Sequence, residues 1–142
     1  MTTDVPIDIL LVEDNPGDVR LVREGLAGWV KPTKLRVVED GEEALALLRG
    51  QGPHAGAARP DLVIVDLNLP RKDGRELVEE LKSDPLLGEL PVVVFTSSSS
   101  DRDVLRLVGL PNRRYIVKPV GLEGFLAAVR SIEGLLEGGG GA

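Results

Sequence analysis

The chain has 142 residues, 42% of them apolar and 3% aromatic, with 23 acidic against 17 basic side chains and a net charge of −6. That length suits one domain, and the apolar share supplies an aliphatic core and excludes disorder. There is no cysteine, so disulfides and thiolate metal sites are excluded; without a basic stripe, nucleic-acid binding has no electrostatic support.

The start, "MTTDVPIDILLVED", has no basic region and no long apolar run, so it does not read as a signal peptide. No stretch approaches the about 18 apolar residues of a membrane span. A soluble cytoplasmic protein that meets neither membrane nor nucleic acid is expected.

Ile7–Val12 reads as the first strand. Residues 16–30 then place Val19, Val22, Leu26 and Val30 three and four apart, one face of a helix. Asn15 is its expected N-cap, with Pro16 at the first helical position and Asp18 in the first turn. Gly25 and Gly28 weaken its end. Leu35–Val38 is a second, weaker strand. Asp40-Gly-Glu-Glu43 resembles a capping box and opens a helix carrying Ala44, Leu45, Leu47 and Leu48. Residues 50–60, with the single histidine His54, read as a loop. Leu62–Asp66 is the third strand. Asp73 caps a third helix through Leu77, Val78 and Leu81, which Pro85 ends. Residues 91–96 ("PVVVFT") form a fourth strand, and 97–100 a polar loop. A short fourth helix is expected at about 101–108, stopped by Pro111. Arg113-Arg114 reads as a solvated turn before a fifth strand, Tyr115–Val117. Leu122, Phe125, Leu126, Val129, Ile132 and Leu136 keep helical spacing through the last helix, and 137–142 read as a glycine-rich flexible tail.

Five strands alternating with five helices, three of the strands unbroken apolar runs, predict a doubly wound α/β domain with a parallel sheet over residues 1–136. In such sheets chemistry gathers at the carboxyl ends of the strands. Here those ends carry Glu13-Asp14, Asp66, Thr96-Ser97 and Lys118. Three carboxylates at one rim repel unless a hard cation lies between them, and an oxygen-only donor set with an incomplete cage favours Mg²⁺. Lys118 suits a phosphoryl oxygen as a point charge, and the Thr96 hydroxyl can bond one. The set reads as a phosphoryl-transfer site. With no cysteine and with His54 far along the chain, the candidate nucleophile is a carboxylate, and Asp66, on a central strand, is the best placed.

"LLVEDNPGD", "VIVDLNLPRKDG", "VVVFTSS" and "YIVKPV", in this order, resemble the receiver domain of two-component response regulators, over about residues 6 to 136. "EDNPGDVRLVREGL" and "DLNLPRKDG" are most similar to the small stand-alone regulators of bacterial phytochrome-type histidine kinases. The resemblance implies Asp66 as phosphoacceptor and metal ligand. It implies Asp14 as a direct Mg²⁺ ligand, Glu13 as one through water, and Asn68 as one through its backbone carbonyl. Thr96 would move to bond the phosphoryl group, Lys118 would pair with Asp66 and then with the phosphate, and Tyr115 would be the aromatic switch residue. Asn68 and Ser98 would tune dephosphorylation. Lys118–Pro119 is expected to be cis by the same likeness.

The expected function is a switch that takes a phosphoryl group from a sensor histidine kinase and catalyses only its own phosphorylation and dephosphorylation. With no output domain in view, the signal is expected to leave by docking to an unknown downstream protein or by self-association. Leu135 and Leu136 suit a homodimer patch and a core-only role equally. Two alternatives stand beside this. One is a Mg²⁺-dependent aspartyl phosphatase-like hydrolase, which commonly needs a second Asp where this chain has Asn68. The other is a non-phosphorylated binding module, in which Asp66 or Lys118 would be expected to be lost.

Overall fold

The computed structural model describes residues 5–97 and 113–141, with the backbone alone at 113 and 137–141. Its strands are β1 (Ile7–Val12), β2 (Thr33–Val38), β3 (Leu62–Val65), β4 (Val92–Thr96) and β5 (Arg113–Val117). Its helices are α1 (Pro16–Leu26), α2 (Gly41–Leu48), α3 (Gly74–Ser83) and α4 (Leu122–Gly141), with one 3-10 turn at Gly52–His54. α4 as drawn includes 137–141, which the sequence assigns to the tail. The helix expected at 101–108, its stop at Pro111, and Ser98 lie outside the described residues.

All strand pairings are parallel, in the order β2-β1-β3-β4-β5. β1 and β3 are therefore adjacent, and the winding reverses between them. Alternation along the central strands feeds two cores, because successive side chains leave a strand on opposite faces. Leu10, Val12, Val63 and Val65 pack with α2 and α3 through Ala44, Leu45, Leu77 and Leu81. Ile9, Leu11, Leu62 and Ile64 pack on the other face with Val22, Leu26, Phe125 and Val129 of α1 and α4. With both faces covered, β3, β4 and the part of β1 after Asp8 have no polar alternation, which is why they read as continuous apolar runs.

The helix starts obey their capping chemistry. Asn15 Oδ1 accepts from Asp18 N at 3.1 Å, Asp40 Oδ1 from Glu43 N at 2.8 Å, and Asp73 Oδ1 from Arg75 N and Glu76 N.

Four readings are corrected. α1 ends at Leu26, so Val30 leaves the apolar face and is 91% exposed, while Trp29 is buried and donates its Nε1–H to Val129 O at 3.0 Å. β2 begins at Thr33, two residues before the apolar run, because Thr33 and Lys34 pair with Ile7 and Asp8 of β1. Arg113 and Arg114 form no turn: they open β5, paired with Val92 and Val93 on the sheet edge, where charged residues are tolerated. There is no cis peptide bond among the described residues, so Lys118–Pro119 is trans, the lower-energy isomer of an X–Pro bond. No helix among the described residues is long and apolar enough to cross a membrane.

Candidate functional site

The site lies where the winding reverses, at the carboxyl ends of β1, β3 and β4, the place where open α/β sheets leave a crevice. Asp66 follows β3 directly, its N–H donating to Val12 O at 3.0 Å. That bond fixes the backbone that aims its side chain. α3 approaches closely from beyond: Gly74 N donates to Leu67 O at 3.0 Å, and a Cβ on Gly74 would come within 2.3 Å of Asp66 O. Only glycine admits this packing, which explains the "DG" that starts the helix.

The Asp66 carboxylate is nearly enclosed and fully engaged. Oδ1 accepts from Asn68 N at 2.9 Å and from Thr96 Oγ1 at 3.1 Å, and Oδ2 accepts from Lys118 Nζ at 2.7 Å. Lys118 comes from the chain just past β5, where its backbone N–H donates to Thr96 O at 2.7 Å. Its ammonium donates to two further carboxylates, Glu13 Oε1 and Asp18 Oδ2, each at 2.7 Å. It also lies 5.9 Å from the Phe95 ring centre, within range of a cation–π contact.

Burial and charge pull these groups apart in titration. Burial pushes the Glu13 carboxyl up to about 7, and Lys118 draws it only part of the way back. Burial also raises Asp66, but the Lys118 hydrogen bond and the Asn68 N–H outweigh it and hold the carboxyl below its usual range. Lys118 resists the same burial because Asp18, Asp66 and Glu13 all favour its charged form, so its pKa is raised.

Oxygen atoms of Glu13, Asp18 and Asp66 lie within 4.8 Å of one another. With all three ionised they carry two more negative charges than Lys118 cancels. An all-oxygen, over-charged set of this kind fits a hard divalent cation.

The expected residues are thus partly assembled. Glu13, Asp66, Asn68, Thr96 and Lys118 meet as the sequence places them. Thr96 is fully buried, and its hydroxyl donates to Asp66 Oδ1. Tyr115 is partly buried against the core face of α2 and α3. Asp14 is exposed and lies outside the acid cluster, lining with Glu13, Pro16, Arg23 and Glu39 a hollow that adjoins it. The third acid of the cluster is Asp18, which the sequence assigns only to the first helical turn. The signal was present: Asn15 and Pro16 fix where α1 begins, and a helix that starts at the β1 end turns its first-turn side chains over the rim. His54 is in the 3-10 turn beyond α2, away from this set, and lines a hollow with Arg36 and Glu43.

Comparison with known proteins gives a consistent picture. Residues 9–130 match the response regulator receiver domain. The response regulator Rcp1 of Synechocystis sp. is 41% identical over 128 residues, covering 90% of this chain and 87% of that protein. The crystal structure of the phosphorylated cyanobacterial phytochrome response regulator RcpA is similar with a TM-score of 0.86 at 44% identity, over 94% of this chain and 95% of that one. The Mn²⁺-bound form of Rcp1 gives 0.83 at 41% identity, over 90% and 92%. The bacteriophytochrome response regulator RtBRR gives 0.74 at 33%, over 88% and 76%.

Proposed function

Because this chain belongs to the response regulator receiver domain family, we propose that Asp66 accepts a phosphoryl group from a phytochrome-type histidine kinase, and that Mg²⁺ is the resident cation. The observation that carries this reading is the Asp66 carboxylate gripped by Lys118 Nζ, Thr96 Oγ1 and Asn68 N within 3.1 Å, at the reversal point of the sheet. The phytochrome partner is supported by the likeness to RcpA and RtBRR, both described as phytochrome or bacteriophytochrome regulators.

An Asp66 oxygen attacks the phosphorus of a phosphohistidine. The P–O bond forms as the P–N bond breaks, and the imidazole leaves with the electron pair and takes up a proton. Asp66 is suited to attack because its neighbours keep it ionised. The Lys118 ammonium then serves the phosphoryl oxygens as a point charge. Glu13 through a water, Asp14 turned in from the hollow it lines, the Asp66 side chain and the Asn68 carbonyl would hold Mg²⁺, which when bound neutralises charge on the transferring oxygens. The Thr96 hydroxyl bonds a phosphoryl oxygen, and Tyr115 moves into the space that Thr96 leaves, altering the surface along β4 and β5. Asn68 and Ser98 govern how readily water reaches the acyl phosphate. The protein turns over no external substrate; the product is the changed surface, read by a downstream protein.

The test is incubation with acetyl phosphate, a small phosphodonor, with Mg²⁺ and with a chelator. One phosphoryl group per chain should appear in Mg²⁺ alone. No uptake, either from this donor or from phosphorylated phytochrome-type kinases, would defeat the reading.

A further inference from the structure

We propose that Asp18 is a positioning residue that acts through Lys118, competing with a phosphoryl group on Asp66 for the same ammonium. The proposal rests on Asp66 being the phosphoacceptor, and it goes beyond the residues that the receiver likeness supplies.

The argument is a count. A lysine ammonium has three N–H donors and no more. In this structure each is spent on a carboxylate: Glu13 Oε1, Asp18 Oδ2 and Asp66 Oδ2, all at 2.7 Å. The donor on Asp66 passes to the phosphoryl group that Asp66 takes up, and Lys118 can turn a second donor to it only by releasing Glu13 or Asp18. The three are not equal. The side chains of Glu13 and Asp66 are 3% and 9% exposed, whereas that of Asp18 is 28% exposed. A carboxylate that loses its cation is penalised least where water can replace it.

Asp18 also borders a cavity of about 370 Å³ that opens beside Lys118, lined by Ser97, Val120 and Leu122 among others, and large enough to admit that water. Glu13 also borders a hollow, with Asp14 and Arg23, but its side chain is 3% exposed and that of Asp66 is 9% exposed, so water reaches them less. Asp18 is thus the partner that lets go. Until it does, it holds the ammonium on the α1 side and adds a negative charge facing the incoming dianion. The unphosphorylated state is favoured by this contact, and phosphorylation frees an acid on the first turn of α1.

Removing the charge should shift that balance. Beryllofluoride, which mimics a phosphoryl group on a carboxylate, is titrated in saturating Mg²⁺ against wild type, Asp18→Asn and Asp18→Glu, with the Mg²⁺ saturation of each first established. Asp18→Asn should bind it about tenfold more tightly, within the usual range of coupling between two sites. Asp18→Glu, which restores a carboxylate, should return towards wild type. A first-turn acid with only a helix-stabilising role would change melting temperature and leave beryllofluoride affinity unmoved. If Asp18→Asn does not fold, Asp18→Ser carries the same comparison. Wild type that binds the mimic while Asp18→Asn binds it equally or more weakly would overturn the role of Asp18 and leave Asp66 as acceptor. Wild type that neither binds the mimic nor takes up phosphoryl would remove the acceptor reading and this proposal with it.

Discussion

Two buried charge sites flank the loop that follows β3, and they strike opposite balances. On one side Asp40, 2% exposed, caps α2 and takes Arg71 as its partner, whose Nε donates to Oδ2 at 2.9 Å while a second guanidinium nitrogen closes on the same oxygen. One acid meets one cation, and the remaining oxygen meets a backbone N–H. On the other side three acids share one ammonium. Asp40 is satisfied; the Lys118 set is short of positive charge. Burial raises the Asp40 carboxyl, yet Arg71 and the Glu43 N–H outweigh it and lower the pKa. Burial of Glu13 is not outweighed in this way, and its pKa rises. A balanced pair fastens the chain, whereas an unbalanced cluster leaves room for a cation and an anion to arrive.

The fastening matters for the neighbour. Arg71 has φ +61°, a left-handed conformation that a side chain adopts at a cost, and the pair with Asp40 helps hold it there. Gly41 N donates to Lys72 O at 3.0 Å, and a Cβ on Gly41 would lie 2.2 Å from that oxygen. The loop carrying Asn68 is thus pinned to the start of α2, which steadies the backbone beside Asp66.

The largest effect should come from Asp66→Asn, which keeps the volume and removes the attacking oxygen. Phosphoryl labelling should vanish and the circular dichroism spectrum should persist; labelling retained at another residue would overturn the assignment. Next comes Lys118→Met, which strips the acids of their only close cation among the described residues. Leaving buried charges unpaired costs about 3–5 kcal/mol. Chemical denaturation should show a loss of that order in chelator and a partial recovery in Mg²⁺, while an Asp40 variant should show no Mg²⁺ recovery.

Asp40→Ala should be milder, losing a cap worth about 1–2 kcal/mol, read by the same denaturation, with acetyl phosphate labelling retained. Loss of labelling in a folded Asp40→Ala would erase the distinction between the two sites.

The smallest effect is a pH dependence. Glu13 has a folded pKa of about 7 against an ordinary 4.5, so the folded state binds more protons between those values. The stability this provides is complete below 4.5 and is lost as pH rises through 7. Asp66 and Asp40, both lowered, act the other way, but only as pH falls below their ordinary 3.8. Melting temperature in chelator should therefore decline from pH 5 to 7.5, and Glu13→Gln should flatten that decline. A wild-type melting temperature that rises over this interval would contradict the raised Glu13.

Which parts were legible in the sequence follows from what a one-dimensional pattern can carry. β3, β4 and the stretch of β1 from Ile9 to Val12 announced themselves because their burial on both faces leaves an unbroken apolar run. The caps Asn15, Asp40 and Asp73 were legible because capping is local. Thr33–Lys34 and Arg113–Arg114 were not: edge strands need fewer apolar residues, so polar pairs there look like turns. Val30 kept a helical interval from Leu26, yet the helix had ended, and the interval lost its meaning. The Asp40–Arg71 pair spans 31 positions and has no sequence signature. Asp18 was visible as a residue but not as a neighbour of Lys118, 100 positions away.

The most direct measurement is to trap the acyl phosphate. The protein is treated with acetyl phosphate and Mg²⁺, reduced with borohydride, which converts a phosphorylated aspartate to homoserine, and mapped by peptide mass spectrometry. Conversion confined to Asp66 and dependent on Mg²⁺ is the predicted result. Conversion at Asp14 or Asp18 with Asp66 untouched would contradict it.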